Sequence, residues 1–551
     1  MNNQKKKIIV IGGVAGGMSF ATRYRRLNQN DEIIIFEKGP YVSFANCGLP
    51  YHISGEISTR SGLLVVRESL LKERFRLDIR SNSEVIAIDS VKKEIAYVHD
   101  GKTSFETYDQ LVLSTGAKPI VFPIGGSFEL PIFTLRNIPD LDKIMHFIKE
   151  STPKHATVIG AGYIGLEVAE NLKLKGLDVT IIEKANEVLP IVDPEMAIFV
   201  HEELKSKGID VFVDNEIKEI QNNKVILASN DSFNTDMVIM AVGVLPDSIL
   251  ATKAGLETGI RGGIKVGPDY QTSMKDIYAI GDAILVTNQI SNQETLIPLA
   301  SPANRQGRQL ADILSGLSVK NQGSLGTSIV KVFDLSLAAT GLNEKQLASK
   351  NYDVIHLTAN DHASYYPNAT SIYLKVIYDK DTELILGAQA VGQKGADKRI
   401  DIIATAIKAK LKVTFLQELE FTYAPPYGSA KDIINMVGYV AFNKQQGITK
   451  TIQWRDALTK FNDDAYVFVD VRSMFESMAQ GTLPKAINVP LDQITDMYTM
   501  IPKDKKVITF CDNGIQGYNA EQFLKSQGYD VYNLDGGYNY ISKMLKENTH
   551  V

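Results

Sequence analysis

The unit that most restricts how this chain can fold occurs twice. Residues 7–38, opening KIIVIGGVAGG and closing EIIIFEK, read as strand, glycine turn, helix and a second strand ending on an acid. Residues 156–184, ATVIGAGYIGLEVAENLKLKGLDVTIIEK, repeat that order. In the second copy Gly160, Gly162 and Gly165 form an unbroken GxGxxG, with Tyr163 and Ile164 between the last two glycines. The first glycine makes the tight turn, the second lets backbone N–H groups approach a pyrophosphate, and the third allows close helix–strand packing. Glu183 ends the following strand, where a carboxylate accepts from ribose hydroxyls. The first copy is less regular. Gly12 and Gly17 hold its outer positions, Val14 stands where the second glycine is expected, and Ala15 and Gly16 follow it. Glu37 is its ribose acid, with Lys38 adjacent. An enzyme of two dinucleotides, FAD in one copy and a nicotinamide in the other, explains both. Neighbouring strands fit that plan: one ends on Thr115-Gly116, one runs through Gly243, and one ends on Gly281-Asp282, whose carboxylate can accept from a ribityl hydroxyl.

Beyond about Ser328 the texture changes. Segments such as TSIVKVFDLSLAATG and IYLKVIYDKDTELILGAQAVG read as antiparallel strands followed by a helix. Residues 444–455 are polar and read as a linker, after which α/β alternation restarts. The expected organisation is 1–117 with 248–325 (flavin), 118–247 (nicotinamide), 326–443, and 456–551. A net charge of -5 argues against a broad nucleic-acid or anionic-membrane surface. No stretch approaches the roughly 18 apolar residues of a membrane helix, and the expected location is cytoplasmic.

The chain has two cysteines, Cys47 and Cys511, and no C-x-x-C pair. A disulfide framework, an internal dithiol centre and a four-cysteine zinc site are excluded, and no metal site is expected. Cys47 lies in SFANCGLPY, just past the first nucleotide unit. Pro50 suggests a helix start nearby, which would lower the thiol pKa.

With FANCGLPY and YAPPYGSAKD in view, residues 7–443 resemble the pyridine nucleotide-disulfide oxidoreductases, and within them the single-cysteine coenzyme A disulfide reductase group. The resemblance implies two Rossmann-like domains, for FAD and NAD, and an α+β dimerisation domain at 326–443. It implies that Cys47 cycles through a mixed disulfide with coenzyme A. The unit would be a homodimer with shared active sites, Tyr365 and Tyr423 being lent to the partner, although Tyr366 and Tyr427 lie close enough to exchange those roles. Ser19, Arg23 and Arg26 fall on one helix face, at i, i+4 and i+7. These three, with Ser43, Asn46, Asn304 and Lys431, match the family's coenzyme A contacts. Tyr163 matches an aromatic gate over the nicotinamide, and Glu167 a residue near it. NADH is the expected reductant, with NADPH possible.

Residues 470–472 (DVR), Cys511 after KVITF, and 534–537 (LDGG) resemble an α/β rhodanese domain. There the cysteine opens a loop, C511-D-N-G-I-Q516, whose backbone N–H groups point inward and stabilise an anion. The family usually carries arginine where Gln516 stands, and Asp512 adds a negative charge, so thiosulfate is expected to bind less well. Together these readings point to NADH-dependent reduction of coenzyme A disulfide, coenzyme A persulfide or polysulfide. The alternatives are an NADH oxidase or peroxidase with a Cys47 sulfenate, and a persulfide sensor or carrier.

Overall fold

The structure, a computed structural model, describes residues 5–127 and 129–548, in two compact units: 1–186 with 207–326, and 187–206 with 327–551. The first unit contains two five-stranded parallel sheets of the same order. One runs Ile277–Ala279, Gln110–Leu113, Lys7–Ile11, Glu32–Phe36, Asp78–Arg80; the other runs Ile132–Phe133, Met237–Met240, His155–Ile159, Asp178–Ile182, Ile209–Phe212. Each glycine turn leaves the carboxyl end of a central strand, where the strand order reverses and a crevice opens. Those central strands are apolar because both faces are covered: Ile8, Ile9 and Val10 are fully buried.

The glycines are steric necessities. Gly12 and Gly160 have φ of 102° and 98°, a region that side-chain-bearing residues avoid. A Cβ on Gly17 would lie 2.0 Å from the Gly12 carbonyl oxygen, and one on Gly165 1.9 Å from that of Gly160. The irregular first copy and the regular second copy thus close the same turn. Val14 is tolerated because its φ of -106° is open to any residue; like Gly162 it is the N-cap residue of its helix.

The second unit joins two sheets. The first is antiparallel, in the order Ser328–Val332, Leu335–Gly341, Ile385–Gly392, Ser371–Asp379, Tyr352–Asn360. The second is parallel, in the order Thr451–Ile452, Val531–Leu534, Lys506–Phe510, Tyr466–Asp470, Ile487–Asn488. Residues 444–455, read from sequence as a linker, are built into this unit. Thr451–Ile452 is an edge strand, the Lys450 N–H donates to Glu521 Oε1 (2.8 Å), and Gln453 Nε2 donates to the Val354 carbonyl (3.1 Å). Buried Thr449 also donates to Glu521, while Gln445, Gln446, Lys450 and Arg455 keep exposed surface. Residues 187–206, inside the expected nicotinamide span, also belong to the second unit. Among the described residues no helix is long and apolar enough to cross a membrane.

Candidate active site

The two nucleotide cradles share one device. Glu37 accepts from the N–H of Gly13 (2.9 Å) and of Gly39 (2.9 Å); Glu183 accepts from the N–H of Ala161 (2.7 Å) and of Ala185 (2.8 Å). Each acid therefore sits at the lip of its own glycine turn. Burial pushes the Glu37 carboxyl up, while the Gly13 and Gly39 N–H groups and Lys38 pull it back. Space stands open above the Gly162 Cα, with no atom within 4 Å of a Cβ placed there. This geometry fits a pyrophosphate against the backbone and a ribose against the acid in both turns. Thr115 Oγ1 donates to the Asp247 carbonyl (2.6 Å), and Lys38 pairs with the Asp247 carboxylate (3.0 Å). Gly116 and Gly243, both at positive φ, flank the short antiparallel pair Ala117–Pro119 and Val244–Pro246, through which the chain passes between the two sheets. Lys184 is tied to Glu216 (2.6 Å).

Cys47 lies in a single helical turn, Asn46–Gly48, that runs into helix Leu49–Ser54. Ser43, at a φ of 51°, fastens the approach: its N–H donates to the Gly13 carbonyl and its own carbonyl accepts from Val65 N–H, both at 2.9 Å. The helix then packs on Tyr163–Leu174 of the second cradle, where Tyr51 Oη meets Glu167 Oε1 at 3.1 Å and Ser54 Oγ meets Asn171 Oδ1 at 2.6 Å. Cys47 is thereby held beside both cradles. Its surface is exposed, yet surrounding atoms strip part of the hydration a thiolate needs.

The expected lowering of its pKa is not found. Partial burial and the Glu167 and Asp282 carboxylates push the thiol up, and Arg136 only partly offsets them. The following helix has six residues, and its first N–H groups do not reverse that balance. Glu167 is itself pushed up to about 7, by burial and Glu170, against the Tyr51 hydrogen bond.

Arg136 was not anticipated from the sequence. Its guanidinium holds Asp282 (2.9 Å) while its carbonyl accepts from Asn46 Nδ2 (3.1 Å), joining the cysteine turn to the strand end at Gly281-Asp282. No local motif marks it.

The residues matched to coenzyme A contacts are partly gathered. Ser19 Oγ lies 2.5 Å from Asn304 Oδ1, across the close packing of Ala15–Leu27 on Ala300–Leu314. Arg23 is engaged by Asp312 (2.7 Å), and Arg26 lies 5.2 Å over the Phe75 ring. In the second unit, Tyr365 and Tyr423 are exposed and their hydroxyls meet at 2.9 Å. Tyr366 instead packs edge-on against His362, and Tyr427 stands exposed. Buried Arg399 ties the two tyrosine loops together, donating to the Asp361 carbonyl (3.0 Å) and the Asp432 carboxylate (2.7 Å). Asp432 caps helix Ile433–Gln445, with exposed Lys431 just before it.

Cys511 is buried at the end of strand Lys506–Phe510, ahead of helix Ile515–Ser526. Burial pushes its thiol up; backbone N–H groups of Gly517, Asn513, Gln516 and Gly514 draw it back down. Gln516 is exposed. Asp512 has a cationic partner that the sequence did not show, shared with a second carboxylate. Buried Arg472 pairs with it (3.0 Å) and with Asp470 (2.7 Å), and stacks 4.2 Å from the Tyr538 ring.

Comparison with known proteins agrees with this architecture. The pyridine nucleotide-disulphide oxidoreductase family matches residues 6–307, its dimerisation domain 327–432, and a rhodanese-like domain 454–544. A coenzyme A disulfide reductase of Staphylococcus haemolyticus (strain JCSC1435) is 38% identical over 439 residues, 79% of this chain and 99% of its own length. Two solved structures are similar over nearly the whole chain. Reduced Bacillus anthracis CoADR-RHD is 48% identical, with a TM-score of 0.95, covering 99% of both chains. An NAD-dependent persulfide reductase from A. fulgidus is 34% identical, with a TM-score of 0.91, covering 97% of this chain and 99% of that one. With two cradles of one design, a cysteine turn locked between them and a rhodanese-like domain at its C-terminal end, the chain belongs to the pyridine nucleotide-disulphide oxidoreductase family.

Proposed function

We propose that this enzyme reduces coenzyme A disulfide and coenzyme A persulfide through Cys47, and that Cys511 takes the outer sulfur from a persulfide, releasing its thiolate, and passes that sulfur to coenzyme A, whose persulfide Cys47 then reduces. The observation that carries the reading is a lone redox thiol in a turn fixed against both cradles, in a chain without a C-x-x-C pair. The resolving sulfur must then come from the substrate. Cys47 thiolate attacks one sulfur of the substrate disulfide, forming a Cys47–coenzyme A mixed disulfide and releasing one thiolate. With a persulfide, attack on the inner, carbon-bound sulfur forms the same mixed disulfide and releases hydrosulfide instead. FAD and NADH, bound in the two cradles, supply the two electrons that return Cys47 and coenzyme A to thiolates. Glu183 favours NADH by bonding the ribose diol and repelling a 2′-phosphate; with Lys184 held by Glu216, little nearby charge favours NADPH.

The family's dimerisation domain and the relatives' names support a homodimer acting on coenzyme A substrates. In that dimer Tyr365 and Tyr423 serve the partner's Cys47, the paired hydroxyls donating to a leaving thiolate. Ser19, Asn304, Ser43 and Asn46 line the approach for coenzyme A, and Arg23, Arg26 and Lys431 supply cations for its phosphates. The test is product analysis with purified enzyme and NADH. Two thiols per NADH are expected from coenzyme A disulfide, and one thiol with one hydrosulfide from the persulfide. NADH consumption that depends on oxygen or peroxide alone would replace this reading with sulfenate chemistry at Cys47.

A further inference from the structure

A buried charge cluster in the second unit is not used by the chemistry above. Lys375 Nζ contacts Asp193 (2.7 Å), Glu195 and Glu344. These three carboxylates converge as they would around a metal ion, but the ammonium takes that place. Arg455, from the rhodanese-like domain, pairs with Glu344 (3.1 Å) and reaches Glu195 (3.5 Å). His356, on strand Tyr352–Asn360, is buried with Nδ1 2.7 Å from Asp535 and Nε2 3.2 Å from Glu195. Its backbone N–H also donates to Asp535 (3.1 Å).

Hydrogen-bond accounting sets the state of that imidazole. Both ring nitrogens face carboxylates, which only accept when ionised, so both nitrogens must carry hydrogen. Charge balance agrees. Asp193, Glu195, Glu344 and Asp535 face two permanent cations, Lys375 and Arg455, and a neutral His356 would leave two buried negative charges uncompensated. Lys444 reaches the Val354 carbonyl of the same strand (3.2 Å), but its charge is balanced by Asp353 (2.9 Å). Tyr540 lies tilted against the imidazole at 4.9 Å with its hydroxyl on the Leu357 carbonyl, and Tyr378 donates to Asp353.

Asp535 begins the floor of the Cys511 loop. Gly536 presses so closely that a Cβ there would lie 2.8 Å from the His356 Cβ, and a Cβ on Gly537 would lie 2.4 Å from the Cys511 carbonyl oxygen. Tyr538 N–H donates to that carbonyl (2.8 Å), and Asn539 N–H to the Asp512 carbonyl (3.0 Å). We infer that His356, as an imidazolium clamped between Glu195 and Asp535, is a positioning residue for Cys511, anchoring segment 534–539 beneath its loop to the dimerisation sheet. The inference rests on Cys511 being the sulfur-handling thiol. A pH dependence follows. Burial opposes the charge, but the bonds to Asp535 and Glu195 outweigh it and push His356 up to about 9 from 6.5. The clamp is therefore complete below pH 6.5 and is lost as pH rises through about 9.

The test uses full-length holoenzyme: wild type, His356→Gln, Glu195→Gln and Cys511→Ser. Turnover of NADH is followed with a small organic persulfide in the presence of coenzyme A and, separately, with coenzyme A disulfide, and hydrogen exchange is followed over residues 511–517 and 534–539. His356→Gln is expected to lower persulfide kcat by about tenfold or more, as a displaced reacting group does. Coenzyme A disulfide turnover should stay within about twofold, and both segments should exchange faster. Wild-type persulfide kcat should fall through about pH 9, His356→Gln should lack that step, and Glu195→Gln should move it to lower pH. Wild-type exchange and persulfide turnover in His356→Gln would overturn the inference. If Cys511→Ser leaves persulfide turnover unchanged, the sulfur-handling reading fails, and unchanged exchange in His356→Gln then overturns the positioning role. If His356→Gln does not fold, a step that Glu195→Gln leaves in place overturns it.

Discussion

Cys47 and Cys511 are both free thiols, and their surroundings divide the work. Cys47 is exposed, and two carboxylates, Glu167 and Asp282, oppose its ionisation while Arg136 favours it. Cys511 is buried, and backbone N–H groups of its loop face the sulfur, with Arg472 bridging the loop's Asp512 to buried Asp470. The first site suits a nucleophile that ionises when a substrate and cofactors complete it. The second suits a sulfur that must be held as an anion or persulfide. Backbone dipoles stabilise an anion at fixed geometry, whereas side-chain charges change with pH and occupancy, so the two thiols should respond differently to every perturbation below.

The largest contrast comes from removing Cys47. Cys47→Ser should stay yellow and still accept electrons from NADH, while coenzyme A disulfide turnover falls by about 10³-fold or more, as loss of a nucleophile does. Substantial turnover would end the single-cysteine mechanism. Cys511→Ser should separate the substrates: persulfide or polysulfide turnover falls by about tenfold or more, with coenzyme A disulfide reduction nearly unchanged. Equal loss with both substrates would mean that the two thiols do not divide the work.

A third experiment asks whether the Cys47 site is completed by a partner. Cys47→Ser chains are mixed with Tyr365→Phe/Tyr423→Phe chains under conditions where subunit exchange is verified. Each parent is inactive, and the mixture should recover roughly a quarter of wild-type activity, since half the dimers carry one intact site. No recovery would remove both tyrosines from the opposite site.

The smallest effect concerns ionisation. As pH rises through about 7, Glu167 becomes charged and further disfavours the Cys47 thiolate. Glu167→Gln should therefore leave alkylation of Cys47 unchanged below that pH and speed it about threefold to tenfold above, equivalent to half to one pKa unit. Cys511 alkylation should not move. An unchanged Cys47 profile would discount the carboxylate's influence.

The domain order and the two cradles were legible in the sequence because their requirements are local. A βα turn that cannot admit a Cβ at Gly17 or Gly165 must be written as glycine, and its acid follows the end of the next strand. The sequence also indicated, through Pro50, the helix start that follows Cys47. It did not show that residues 444–455 pair an edge strand and bond to the rest of the second unit, nor that Asp512 has a partner in Arg472, 40 residues earlier.

What the sequence by itself determined was therefore the set of loops, the parallel α/β architecture that presents them, and the presence of two separate thiols. Tertiary structure alone decided what surrounds those thiols. Arg136 meets Asp282 across 146 residues, Tyr51 meets Glu167 across 116, Tyr365 meets Tyr423 across 58, and His356 meets Asp535 across 179. Strand order and helix packing bring such pairs together, and no local pattern encodes them. Yet an ionisation equilibrium depends on charges and burial within a few ångströms, so the reactivity of each cysteine is a property of the fold rather than of its motif.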